Sequence, residues 1–330
     1  MRVSRGVLVV LSCLAGSLAL SAQQSTPLKL VSSARPPFTN VPGEPRFALD
    51  LIETALSRIG VQATTAIVPP PDYTTSLLTG PYDGSASAWK DAERERVLLF
   101  SDPYLENRMV LVGRRGANVS AKALADLKGK RIAIVGGFSY GEAIDLSGPV
   151  FVRSTSEEDS LTRLLQGSVE YTLMDELVVD FILGSYPQES ASKLQLGSTP
   201  LLTRPMHLAV RRRPDAEAII SGFNTQIRAM IADKTYHKLL RQEWIRADVN
   251  GDGVPEYVPI TDDAGPFEPT RIYSLFSTPA AGPELELKPG FFLGGHIYEN
   301  WANVPDTYKL THSNRENPDR STATVFNFKW

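Results

Sequence analysis

The chain has 330 residues, 42% hydrophobic and 22% charged, with a formal net charge of −3. That is the composition of a folded globular protein long enough for two compact units, and its slightly acidic balance excludes a basic nucleic-acid surface. The single cysteine, Cys13, excludes a disulfide framework.

Arg2 and Arg5 precede an apolar run over 7–20, followed by Ala19-Leu20-Ser21-Ala22 and the polar Gln23-Gln24-Ser25. A charged start, a short apolar stretch and small residues at a cleavage point predict a secretory signal peptide over residues 1–22, cut after Ser21 or Ala22. The run is too short for a comfortable membrane span. Val10-Leu11-Ser12-Cys13 faintly resembles a lipobox, so lipoprotein anchoring at Cys13 is the alternative. Cleavage after Cys13 leaves a chain with no thiolate nucleophile and no cysteine metal site. The expectation is an exported, soluble protein of the periplasm.

Leu28–Ser33 alternates as a strand and runs into a turn at Arg35-Pro36-Pro37-Phe38. Leu51, Ile52, Ala55, Leu56 and Ile59 fall at helical spacing, with Gly60 as the stop. Residues 61–68 predict a second strand. Tyr82-Asp83-Gly84 opens a small-residue segment over 85–88, and 109–112 predicts an apolar strand. A second unit repeats the alternation. A buried strand over 130–135 leads to Gly136-Gly137-Phe138-Ser139, which opens a helix. Thr155-Ser156-Glu157-Glu158 reads as a capping box before Leu161, Leu164 and Leu165, and Gly167 ends that helix. A strand over 171–174 ends at Asp175 before another helix. A strand over 206–210 precedes helical periodicity from Ile219 to Ile231, extending to about Trp244. Alternating strands and helices predict an α/β architecture. From 247 to 330 the chain turns acidic, then turn-rich.

Three motifs in order resemble one family. Asp83-Gly84 is followed by Glu93-Arg94-Glu95-Arg96-Val97-Leu98-Leu99-Phe100-Ser101-Asp102-Pro103-Tyr104. Leu124-Ala125-Asp126-Leu127-Lys128-Gly129-Lys130-Arg131 comes next, then Leu165-Gln166-Gly167-Ser168-Val169-Glu170 leading to Asp175. Over roughly 28–244 the chain resembles the bacterial extracellular solute-binding proteins of family 3, the type II periplasmic binding proteins of polar amino-acid ABC importers. The resemblance implies a two-lobe α/β fold with an interlobe cleft and two hinge strands. Lobe one would comprise 24–112 plus 209–246, lobe two 113–208, and 247–330 a C-terminal extension.

The resemblance also implies site residues. Arg94 stands where the family holds a ligand carboxylate, a task suited to a planar guanidinium; otherwise it is one arginine of a charge-rich surface run. Phe138 and Ser139 match a helix N-terminus aimed at the same carboxylate, or Ser139 simply caps its helix. Asp175 matches the acid that receives a ligand ammonium, or it caps the helix beginning at Glu176. Trp89, Arg35 and Ser87 complete the set. Arg35 and Trp89 depart from the family pattern: an aromatic ring usually stands where Arg35 is, and Ser or Thr precedes the conserved arginine where this chain has Trp89, Lys90 and Asp91. The expected ligand is a small polar, carboxylate-bearing, amino-acid-like solute. The expected partner is an ABC permease or a sensor protein in the inner membrane, with the binding protein a monomer.

Asp248-Val249-Asn250-Gly251-Asp252-Gly253-Val254-Pro255-Glu256 places oxygen ligands at alternate positions around glycines, as a loop that wraps Ca²⁺ does. Asp248, Asn250, Asp252 and Glu256 would offer side-chain oxygens and Val254 its carbonyl, for a structural role; a solvated turn is the alternative. The final stretch over 322–330 alternates and ends on Trp330, and is expected to add to a sheet edge or pack on lobe one. His296, Tyr298 and Trp301 are expected to pack together. No Ser/His/Asp or Cys/His set is visible and the four histidines are scattered, so no catalytic residue is predicted. The alternatives are a periplasmic scaffold or binding module without a transporter, and a dehydratase-like enzyme on the same fold.

Overall fold

The structure, a computed structural model, describes residues 27–141, 144, 148–250, 252–269, 272–274 and 290–310. The leader, Cys13 and the terminal stretch 322–330 lie outside the described residues, as does most of the helix expected after Ser139. Two sheets carry the rest.

The large sheet has the order β2-β1-β3-β9-β5-β8-β6-β7, with β4 also on β9. At one end β1 (Leu28–Ser33) pairs in parallel with β2 (Ala63–Val68) and β3 (Gly84–Trp89). At the other, β6 (Arg131–Val135) pairs in parallel with β7 (Val150–Ser154) and β8 (Tyr171–Asp175). Between them run two long antiparallel strands, β5 (Leu105–Arg114) and β9 (Leu194–Arg211). The C-terminal part of β9 pairs β3 and β4 (Leu98–Phe100), while β5 pairs β8. Parallel strands need crossovers, and helices supply those from β1 to β2, β2 to β3 and β7 to β8. Helix α1 (Phe47–Arg58) buries Ala48, Leu49, Leu51, Ile52, Ala55 and Leu56, the face that periodicity marked. Three more follow: α2 (Pro70–Thr79), the short α3 (Ala92–Glu95) and α4 (Glu157–Leu165). Beyond α4, α5 (Glu176–Ser185) and α6 (Pro187–Lys193) lead into β9, and α7 (Ala216–Ala232) packs on α1.

The family-like motifs prove to be structural joints. At Gly84 an added Cβ would lie 1.9 Å from the Ala209 carbonyl oxygen, so only glycine lets β3 approach β9 this closely. Asp83 accepts from the Lys29 N–H and from Arg213, each at 2.8 Å, tying β1 to the end of β9. Ser101 accepts from Leu208 N–H at 3.0 Å, and the fully buried Tyr104 donates to the Ala86 carbonyl at 2.7 Å. Asp126 caps the 3-10 turn Leu124–Leu127 through the Lys122 and Ala123 N–H groups. Gly167, at φ +78°, ends α4 as expected.

Two boundaries differ from the sequence reading. The helix expected to reach Trp244 stops at Ala232; α8 (Thr235–Leu240) follows, and Trp244 opens β10 (Trp244–Ala247). Lys234 and Arg241 adopt the left-handed region, at φ 65° and 55°, and each breaks the run. The cap of α4 is shifted by one residue: Ser156, not Thr155, is the N-cap, accepting from the Asp159 N–H at 3.1 Å. Asp159 reaches back to the Thr155 N–H at 2.9 Å. The shift makes Asp159, not Glu158, the reciprocal partner in the cap.

The C-terminal extension forms a second sheet of order β12-β10-β11-β13-β14. β11 (Glu256–Pro259) makes a hairpin with β10; β12 (Tyr273–Ser274), β13 (Phe291–Leu293) and β14 (His296–Tyr298) complete it. It docks on the main body through buried polar contacts. Tyr273 accepts from the Glu106 N–H at 3.1 Å and donates to its carbonyl at 2.8 Å. Lys234 donates to the Pro259 carbonyl at 2.8 Å. Trp301 packs against Trp244 and Phe291, and Tyr298 against Tyr308. His296, contrary to expectation, is exposed at the start of β14, next to the Gly294-Gly295 turn.

Candidate functional site

A pocket opens between the two ends of the large sheet, where the carboxyl ends of parallel strands meet crossover loops. Six of the seven expected ligand residues line it: Arg35, Ser87, Trp89, Arg94, Phe138 and Ser139. Sequence reasoning missed Ser33, Phe38, Thr39, Tyr73 and Met206, which line it too. The cavity volume is about 20 Å³ as swept by the centre of a water molecule, room for about one water. The two walls are in contact. Thr74 donates to the Gly137 carbonyl at 2.9 Å, and the Ser139 hydroxyl hydrogen-bonds the Asp91 carboxylate.

Arg94 sits on α3, whose N-cap Asp91 accepts from the Arg94 N–H at 2.8 Å. It is not a surface arginine: its exposure is 3%. Its guanidinium donates to the Trp89 carbonyl at 2.8 Å and to Thr74 Oγ1 at 3.1 Å, and lies 5.7 Å from the Tyr73 ring centroid. Nε makes no hydrogen bond, although the Asp91 carboxylate is 3.4 Å away. The Asp91 carboxylate thus pairs with Nε as an ion without a hydrogen bond, and a buried guanidinium whose donors are incompletely satisfied can still receive an anion. Burial works to raise the Asp91 carboxyl, but the Arg94 N–H, the Ser139 hydroxyl and the Arg94 charge outweigh it and hold Asp91 below the usual range.

Arg35 leaves the turn after β1, where its N–H donates to the Thr39 carbonyl at 2.8 Å. Its exposure is 5%, and its Nε donates at 3.1 Å to Oε1 of Glu157, which comes from the other half of the large sheet. Phe38, Trp89 and Phe138 surround the guanidinium at 5.5, 5.4 and 5.4 Å from their ring centroids. Glu157, on the first turn of α4, is buried at 7%. Burial pushes its carboxyl up, and the Arg35 charge pulls against that. No sequence signal marked Glu157, because an acid in the first turn of a helix reads as a partner of the helix dipole.

Asp175 does not line the pocket. It is fully buried behind the wall and is the N-cap of α5, accepting from the Leu177 N–H at 2.8 Å. Its other oxygen accepts from the Arg108 N–H and the Asn107 amide, both at 3.0 Å. Asn107 in turn accepts from Trp89 Nε1 at 2.6 Å. The carboxylate thus anchors Trp89 at one remove, through Asn107. Burial raises the Asp175 carboxyl against the lowering effect of Arg35 and these donors.

In the acidic hairpin the oxygens are engaged by nearby donors. Asp248 accepts from the Gly253 N–H at 2.9 Å, Asp252 from the Val254 N–H at 2.7 Å, and Glu256 from the Val249 N–H at 3.1 Å. Asn250 donates its amide to Asp252 and accepts from the Asp252 N–H. Among the described residues no three His, Cys, Asp or Glu side chains converge as a metal site, and no helix is long and apolar enough to cross a membrane.

Two α/β halves, two strands passing between them and a polar-aromatic cleft at the junction define a two-lobe solute-binding protein, the type II periplasmic binding fold. Residues 29–247 match the bacterial extracellular solute-binding proteins, family 3, and the chain belongs to that family. It is 26% identical over 245 residues to ABC transporter arginine-binding protein 1 of Escherichia coli (strain K12), covering 71% of this chain and 97% of that protein. Among solved structures it is similar to a mutant of ArgBP from T. maritima, with a TM-score of 0.54 and 25% identity over 65% of this chain and 93% of that one. It is also similar to the GluR0 ligand-binding core from Nostoc punctiforme in complex with L-glutamate, at a TM-score of 0.53 and 19% identity, covering 64% and 97%.

Proposed function

We propose that this protein is a periplasmic receptor that closes on a small carboxylate-bearing, amino-acid-like solute and presents it to an ABC permease or a sensor protein in the inner membrane, without catalysis of its own. The observation that carries this reading is Arg94: a buried guanidinium at the pocket wall with a donor that has no hydrogen-bond partner. A ligand carboxylate supplies the acceptors it lacks. Ser139, Ser33 and Ser87 add hydroxyls, and Trp89 and Phe138 add flat apolar walls. Family membership supports export, as does the signal-peptide pattern of residues 1–22.

The contacts across the pocket belong to a closed arrangement, so ligand entry requires the walls to part. We assign 24–112 with 209–246 to one lobe and 113–208 to the other. The sheet order supports this, since β5 and β9 alone lead from one end to the other among the described residues. Opening then turns on these two strands.

The test is a thermal-shift screen of the mature chain against amino acids, organic acids and sugars, with and without Ca²⁺. A ligand that binds only the native state raises Tm. A shift from a carboxylate-bearing solute that disappears in Arg94→Ala is the expected result. Silence across all solutes contradicts the receptor reading and favours a periplasmic scaffold. The structural Ca²⁺ proposed for Asp248, Asn250, Asp252, Val254 and Glu256 predicts a separate shift with Ca²⁺ that Asp248→Asn with Asp252→Asn removes. Each backbone N–H bond engages one oxygen of its carboxylate, so the hairpin can keep these bonds while other lone pairs face the ion.

A further inference from the structure

The pocket contains a feature that carboxylate binding does not use. Three aromatic rings and a buried carboxylate form a box, and the box is filled by the chain's own Arg35. Phe38, Trp89 and Phe138 each stand within 5.5 Å of the guanidinium carbon. Glu157 holds Nε at 3.1 Å, and Met109 Sδ lies 3.8 Å from Nη2. Glu157 Oε2 is buried and accepts no hydrogen bond. Aromatic faces with a desolvated carboxylate are the chemistry that binds a guanidinium or ammonium group. Here that cation is covalently tethered.

We propose that Arg35 is a resident guanidinium that occupies the pocket's cation subsite, so that the protein rejects ligands with cationic side chains and selects those whose side chains are short and either uncharged or acidic. This rests on the receptor reading and specifies its substrate class. The charge count points the same way. An arginine ligand would bring a second guanidinium to a box whose one carboxylate, Glu157, is already paired with Arg35, while the neighbouring Arg94 and Arg204 are balanced by Asp91, so exclusion rests on the box being occupied. A like charge in a desolvated site discriminates strongly against the wrong ligand.

The test uses probes that separate this inference from the carboxylate reading. Ethylguanidinium has a cation and no carboxylate; L-arginine has both; L-glutamine and L-glutamate have the carboxylate without the cation. In wild type, neither ethylguanidinium nor L-arginine shifts Tm. In Arg35→Ala the emptied box gains affinity for both of at least about tenfold, the weight of a desolvated cation–π contact. Arg35→Ala with Glu157→Gln loses that gain. Arg35→Met, which keeps the stem in the box and removes the charge, serves as a folded control and should gain less ethylguanidinium and L-arginine binding than Arg35→Ala. Wild type that binds L-arginine as tightly as Arg35→Ala overturns the proposal, as does a folded Arg35→Ala, checked by circular dichroism, that gains no ethylguanidinium binding. If wild type ignores every amino acid while Arg35→Ala gains ethylguanidinium, the receptor reading fails and the resident-cation inference stands. If wild type binds glutamine or glutamate but Arg35→Ala gains nothing, the reverse holds.

Discussion

The pocket and the acidic hairpin both concentrate charged side chains, yet they use them in opposite ways. In the hairpin, Asp248, Asp252 and Glu256 each bond a backbone N–H a few residues away. In the pocket, Arg35 and Glu157 are 122 residues apart in sequence and meet in a buried ion pair, while Arg94 Nε, 3.4 Å from the Asp91 carboxylate, makes no hydrogen bond. A charged side chain becomes available to a ligand when the fold buries it and leaves a donor or acceptor open. One whose oxygens already bond the backbone is chiefly a structural part. Asp175 belongs to the second kind although it stands one residue from the pocket wall, being linked to Trp89 through Asn107.

The largest effect is expected where that contrast is sharpest. Glu157→Ala strands the Arg35 guanidinium in a buried box and should cost about 3–5 kcal/mol in urea unfolding. Arg35→Met with Glu157→Leu removes both charges and should recover most of that loss; a double variant as unstable as the single one would mean that the pair is not what stabilises the junction.

Next comes Asp175→Ala, which leaves the Leu177 and Arg108 N–H groups and the Asn107 amide without their acceptor. About 2–3 kcal/mol of stability should be lost by the same measurement. Stability should fall more than the ligand affinity of the folded fraction. The opposite pattern would make Asp175 a direct ligand contact and erase the distinction from Arg94.

Tyr273→Phe probes the docking of the second sheet. Losing the hydroxyl removes its two hydrogen bonds to the Glu106 backbone and should cost about 1–2 kcal/mol, with faster proteolysis within 248–310. Unchanged proteolysis would mean that apolar packing alone holds that sheet.

The smallest expected effect is electrostatic. Burial lifts the Glu176 carboxyl to about 7, against the pull of Arg108 at 3.0 Å and with a further push from Asp175. A carboxyl raised in the folded state keeps its proton longer there, so stability is lost as pH rises from about 4.5 to about 7. Glu176→Gln should therefore gain on wild type across that window and hold a constant advantage above it, on the order of 1 kcal/mol for a side chain nearly a third exposed. His237, held down to about 4 chiefly by burial, works in the other direction, favouring the fold as pH rises, and it is common to both proteins. A difference that is flat with pH would place Glu176 in solvent.

Much of this fold was legible from local pattern. Helical spacing marked α1 and α7, and alternation marked β1. Asp83-Gly84 marked the point where β3 meets β9, because only a glycine fits there. Six pocket residues were legible through family register. What escaped notice depended on distance in sequence. Glu157 looks like any first-turn acid until Arg35 arrives from the other half. Tyr73 and Thr74 lie in α2, a short Pro-Pro-initiated helix that carried no clear apolar period. The second sheet is built from strands of two to four residues, too short to show alternation, and it is held by Tyr273 and ring packing rather than by sequence period. The left-handed Lys234 and Arg241, which stop the long helix, carry no glycine to announce them.

The most direct test of the central claim is isothermal titration of wild type and Arg94→Ala with a carboxylate-bearing amino acid found by the screen, at equal folded fraction. Truncating a buried charged partner should weaken binding by at least about thirtyfold, with Tm of the unliganded protein changed far less than by Glu157→Ala. Equal affinities for the two proteins would contradict the account, because Arg94 would then hold no ligand and the pocket would have no carboxylate anchor.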